Sequence, residues 1–108
     1  MTVSELVEKM GLESFSLGQP DLEIEGAYCG DLLSWVMGRA ELGNAWFTIM
    51  SNQNVAAVAV MTDLSCIVLT EGVRPDEQLL TRAQAEHLNL LGTSLSTFEA
   101  AAAFSKLE

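Results

Sequence analysis

Basic residues are scarce in this chain: five Lys and Arg stand against fifteen Asp and Glu, a formal charge of −10 over 108 residues. Nucleic-acid binding draws most of its affinity from cations that neutralise phosphates, so the balance argues against it, and equally against docking on an anionic membrane. Cysteine is limited to Cys29 and Cys66, with no CxxC pair, and His87 is the single histidine. A zinc site needs three or four such ligands, so no metal is expected. No apolar run approaches the roughly 20 residues that span a bilayer, and the start, MTVSELVEKMG, is acidic and amphipathic rather than a signal peptide. The expectation is a cytoplasmic protein with both thiols reduced. Charged residues make up only 19% against 49% hydrophobic ones. That ratio excludes disorder and leaves apolar surface for a partner.

What is present alternates. Thr2 and Glu5 form a T-x-x-E capping box that opens a helix over residues 3–10, with Gly11 as its left-handed stop. Two half-exposed strands follow, a weak one within residues 12–17 and one over 22–29, joined by the turn Gly18-Gln19-Pro20-Asp21. Gly30-Asp31 ends the second strand and is expected to cap a helix over 32–40. Its Leu32, Leu33, Val36, Met37 and Ala40 share a core face, and Trp35 lies on the flank, where it covers the core edge or projects into a partner. Residues 44–50, 55–61 and 65–69 then read as strand, helix and strand, one βαβ unit. Pro75-Asp76-Glu77 opens a further helix carrying Leu79, Leu80 and Ala83 inward and ending near His87. A strand over 88–91 and a second capping box, Ser96 to Glu99, lead into an Ala-rich helix to residue 106. This order predicts one α/β domain over residues 1–108, three-layered, with a mixed, largely parallel sheet.

The chemistry is thin. Neither the P-loop G-x-x-x-x-G-K-[ST] nor the dinucleotide G-x-G-x-x-G is present, so the backbone cradles those motifs provide are missing and no cofactor is expected. Cys29 precedes a helix start, which lowers a thiol pKa, but no base accompanies it and His87 is distant in sequence. Asp31, Asp76 and Glu77 are explained as helix-start residues, while Asp63 and Glu71 flank one strand at opposite ends. No catalytic set emerges. Polar groups do gather at the carboxyl ends of adjacent strands, where open α/β sheets usually bind ligands. Asp31, Ser51, Asn52, Thr70 and Gly72 are therefore the candidate ligand-binding residues. The helix over 55–61 is apolar all round and must be covered on more than one side. A second copy of the chain is the expected cover, which makes the protein a homodimer with Trp35, Val55, Val58 and Met61 at the interface.

The blocks YCGDLLSWVMGRA, NAWFTIMSNQNVAAVAV and LSTFEAA, with Thr-Glu-Gly-Val-Arg-Pro-Asp-Glu between the last two, resemble the DRTGG domain from about Glu23 onward. That family is named for an Asp-Arg pair after one strand and a Thr-Gly-Gly after the next. Here Ser51-Asn52 replaces the pair, and Thr70-Glu71-Gly72 keeps the first and last residues of the triplet. The resemblance implies a fold like the N-terminal domain of HPr kinase/phosphorylase. It also implies a role like the accessory modules of some phosphotransacetylases and CBS-containing pyrophosphatases, namely a regulatory or dimerising module without catalysis, with a protein partner in a metabolic or regulatory complex. A small-molecule sensor, for adenine nucleotides among others, is the alternative.

Overall fold

The structure, a computed structural model, describes residues 1–107. In chain order the elements are α1 (Val3–Met10), β1 (Glu13–Leu17), β2 (Gly26–Cys29), α2 (Leu33–Arg39), β3 (Asn44–Thr48), α3 (Asn54–Thr62), β4 (Cys66–Leu69), α4 (Glu77–Ala85), β5 (Asn89–Gly92) and α5 (Thr97–Ser105). One five-stranded sheet runs in the order β1-β5-β4-β3-β2. Strands β2 to β5 are parallel and β1 is antiparallel to β5. The mixed sheet and the three layers are thus as expected.

Side chains alternate through the sheet. Trp46, Ile67, Leu69 and Leu90 point to one face and pack with Val36 of α2, Val55, Ala56, Val58 and Ala59 of α3, and Leu79 and Ala83 of α4. Ala45, Phe47, Cys66, Val68 and Leu91 point to the other, against Val3 and Leu6 of α1 and Ala100 and Phe104 of α5. Strands β3 and β4 are buried along their whole length because helices cover both of their faces. The crossovers through α2, α3 and α4 all step in one direction along the sheet, so all three helices lie on one face. Only after β5 does the chain cross to the opposite face, into α5.

Local signals held where the capping is local. Both capping boxes form, Thr2 with Glu5 and Ser96 with Glu99, and Gly11 ends α1 at φ 62. Other expectations need correction. Residues 22–25 make only an isolated antiparallel bridge, Thr2 with Glu23: Ile24 donates its N–H to the Met1 carbonyl and Val3 donates to the Leu22 carbonyl, while Glu25 donates to the Gly43 carbonyl before β3. Asp31 does not cap α2, whose N-cap is Leu32 without a side-chain bond. Pro75 precedes the α4 cap rather than following it, and Asp76 accepts from the Leu79 N–H at 2.8 Å. Leu32 and Met37 are 60% and 43% exposed, because α2 is only two turns long and just Leu33, Val36 and Ala40 repeat at the spacing that meets the sheet.

The apolar helix α3 is corrected most. Within the chain it is covered by the sheet and by flanking α2 and α4. Val55 and Val58, expected at a subunit interface, are 0% and 4% exposed within one chain. The large apolar side chains that α3 leaves in solvent are Val60 and Met61.

Candidate functional site

The carboxyl ends of β2, β3 and β4 are tied together by polar side chains. Asp31 accepts hydrogen bonds from the Thr48 hydroxyl at 2.8 Å and the Ile49 N–H at 2.9 Å. The Thr48 hydroxyl accepts in turn from Met50 N–H at 3.2 Å. Thr70 is fully buried, its hydroxyl 2.6 Å from that of Thr97 and 3.5 Å from the Thr48 carbonyl. These residues are struts between strand ends, and Thr70, a candidate ligand residue, has no surface to offer.

Ser51-Asn52 is likewise a built turn. Asn52 accepts from Asn54 N–H at 2.9 Å, a local turn closed by the side chain itself. The Ser51 carbonyl accepts from Asp76 N–H at 3.0 Å, which pins the turn to the start of α4. Of the five candidates, Asp31, Ser51 and Asn52 belong to the β2–β3 side, whereas Gly72 lies beyond the end of β4. The structure does not gather all five around one opening.

Gly72 does border a crevice. It has a volume of about 550 Å³ and opens between the loops that leave β4 and β5, with the end of α1 and strand β1 as its outer wall. Gly72 lines it, and both the preceding Glu71 and Gly72 are in left-handed conformations, at φ 61 and 71. Their N–H groups reach across to the Leu95 and Thr93 carbonyls at 2.8 and 2.9 Å. On the outer wall the Arg74 guanidinium lies 5.0 Å above the Phe15 ring and pairs through both terminal nitrogens with Glu13, at 3.1 and 3.2 Å. Phe15 lies across Gly92, where a Cβ would come within 2.6 Å of the ring. Nothing local in the sequence marks Glu13, Phe15 or residues 93–95 as neighbours of Arg74, since Glu13 lies 61 residues from it. Arg74, one of five cations and set in the TEGVRPDE block, was the available signal.

The thiol chemistry is unpromising. Partial burial, and then the Asp31 carboxylate, raise the Cys29 pKa, and burial pushes Cys66 up to about 12. Cys29 ends β2 at one sheet edge, while His87 precedes β5 at the opposite end of the strands, so the two do not meet. Among the described residues no group of three or more His, Cys, Asp or Glu is placed to hold a metal. No helix among them is long and apolar enough to cross a membrane.

Helices α2 and α3, which pack on each other, both leave large apolar side chains in solvent. Leu32, Trp35 and Met37 from α2 and its cap, and Val60 and Met61 from α3, are exposed, Trp35 by 53% and Met61 by 70%. The Arg39 guanidinium lies 4.0 Å over the Trp35 ring.

Comparisons with known proteins agree with this architecture. The family model of the DRTGG domain matches residues 39–107. A solved structure, the CBS and DRTGG domains of the regulatory region of Clostridium perfringens pyrophosphatase complexed with the activator diadenosine tetraphosphate, is similar with a TM-score of 0.69 at 11% identity. The match covers 94% of this chain and 44% of that one, so this chain spans less than half of that neighbour's length. At such an identity the likeness is one of fold. A comparison with curated proteins finds no match.

Proposed function

This chain belongs to the DRTGG domain family, and from that premise we propose that it is a non-catalytic regulatory module that pairs with a second copy of itself through the α2 and α3 face. The carrying observation is one of charge. Residues 32–40 and 54–62 contain no Asp or Glu and only Arg39 as a cation, in a chain of fifteen acids. Two copies meeting through carboxylate-bearing surface bring like charges together, which costs free energy; at this face they bring together Trp35, Met37, Val60 and Met61. Two free thiols fit a reducing cytoplasm.

Emission from Trp35 reports the pairing, because Trp46 is fully buried and hydrogen-bonded to the Gly30 carbonyl at 2.8 Å and so stays constant. On concentration through the micromolar range the Trp35 emission shifts to the blue, and Met61→Asp abolishes the shift. A spectrum independent of concentration sinks the reading.

A second reading is favoured by the crevice: control by a small molecule. The similar pyrophosphatase regulatory region carries a nucleotide activator, a precedent for ligand control in a protein built with this domain. In a thermal-shift screen with adenine nucleotides and acyl phosphates, a ligand at 100 times its Kd adds about 2.7 kcal/mol of stability. Tm unchanged by all of them counts against this second reading.

A further inference from the structure

We propose that the crevice between the ends of β4 and β5 binds a small organic acid, one carboxylate or phosphate on a compact apolar body, which takes Arg74 from Glu13. The inference rests on the small-molecule reading above and gives it a place and a ligand class.

Topology selects this crevice. In an open α/β sheet a cleft opens where the loops leaving two adjacent strands diverge to opposite faces. The loops after β2, β3 and β4 all lead to α2, α3 and α4 on one face, and the strand ends there are closed by the Asp31–Thr48 and Thr48–Thr70 hydrogen bonds. The loop after β5 leads to α5 on the other face. The β4–β5 pair is therefore the single point of divergence among the parallel strands, and the crevice lies there. Its volume, about 550 Å³, is in the range of small-molecule sites.

Chemistry selects the ligand. Arg74 is the one cation lining the crevice. Its fork already holds a carboxylate, since both terminal nitrogens meet the two Glu13 oxygens. The chain's own side chain thereby displays the planar oxyanion this fork accepts. Arg74 and Glu13 side chains are 68% and 55% exposed, so an incoming anion reaches the fork and displaces a weak surface ion pair. Thr93 and Ser94 add hydroxyls, and Met10, Val73 and Leu95 supply an apolar wall. A single guanidinium in a chain of charge −10 disfavours polyphosphates and leaves room for one oxyanion.

The test is amide-resolved NMR titration of the full chain with benzoate, phenyl phosphate and inorganic phosphate. Shifts at Gly11, Gly72 and Ser94 with either aromatic probe are expected, and the stronger of the two names the oxyanion. Inorganic phosphate, lacking an apolar body, is expected to bind more weakly. Glu13→Gln frees the guanidinium and tightens binding about fivefold, the factor by which an exposed ion pair competes. Arg74→Gln weakens it about tenfold or more. Both side chains are exposed, so neither variant threatens the fold. The proposal is overturned if no aromatic probe shifts these amides at millimolar concentration in either the native chain or Glu13→Gln. It is equally overturned if Glu13→Gln binds no tighter, or if the shifts fall at Ser51 and Asn52. A protein that ignores these probes yet gains stability from a nucleotide keeps the small-molecule reading and loses only this site.

Discussion

Glu71→Gly is the substitution whose outcome follows most directly from backbone geometry. Glu71 holds φ 61 and is exposed, and its N–H donates to the Leu95 carbonyl at 2.8 Å. Glu71 makes this bond to the β5 loop from the left-handed conformation, and the family's Thr-Gly-Gly triplet has glycine at this middle position. An L-residue there is strained by about 1–2 kcal/mol, because Cβ crowds the following carbonyl. Glycine relieves that strain but gains about 0.4–1 kcal/mol of conformational freedom in the unfolded chain. The net expectation is a stabilisation of about 0.5–1 kcal/mol, which for a domain of this size raises Tm by about 2–8 °C. Differential scanning calorimetry and urea unfolding, with an unchanged m-value, measure it. An unchanged or lower Tm refutes the strain argument and, with it, the idea that this turn is held in shape by its bonds to the β5 loop.

Thr70→Val removes a buried hydroxyl without changing shape and costs about 1–2 kcal/mol; in a double-mutant cycle with Thr97→Val the two losses are less than additive, and full additivity shows that the 2.6 Å contact carries no coupling. Gly18→Ala forces a Cβ to within 2.4 Å of the His87 backbone and costs about 3 kcal/mol, read as a lowered urea midpoint; a midpoint within error of the native value contradicts the close approach. Cys29, its pKa raised above the ordinary 9.0 by burial and then by Asp31, remains a protonated thiol at neutral pH. Its rate with a disulfide reagent rises with pH above neutrality and levels off only beyond the ordinary thiol range, and Asp31→Asn speeds it. Reaction at pH 7 faster than a free thiol overturns that reading, whereas Cys66 reacts only on unfolding.

What could be read from the sequence was what neighbours along the chain decide. Thr2 and Glu5, or Ser96 and Glu99, lie three residues apart and form their bonds within one turn. Strands β3 and β4 announced themselves as apolar runs because both of their faces are covered. Asp31 looked like a cap by the same local rule, yet the Thr48 hydroxyl and Ile49 N–H, seventeen and eighteen residues on, hold its carboxylate instead. For α3 the sequence told that its sides are apolar but not what covers them, and within the chain the cover is the sheet and two flanking helices. The crevice was least legible of all. It depends on β1 joining β5 and on α5 crossing to the other face, and Glu13 meets Arg74 across 61 residues of sequence. Only the strand order brings those residues together.

On the proposal above, the module pairs with a second copy through the acid-free α2 and α3 face, where Arg39 is the one charge. Light scattering coupled to size exclusion, across dilution through the micromolar range, tests this most directly. The predicted mass is twice the 11.7 kDa of one chain, falling to one chain in Met61→Asp. A single-chain mass for the native protein at every concentration contradicts it.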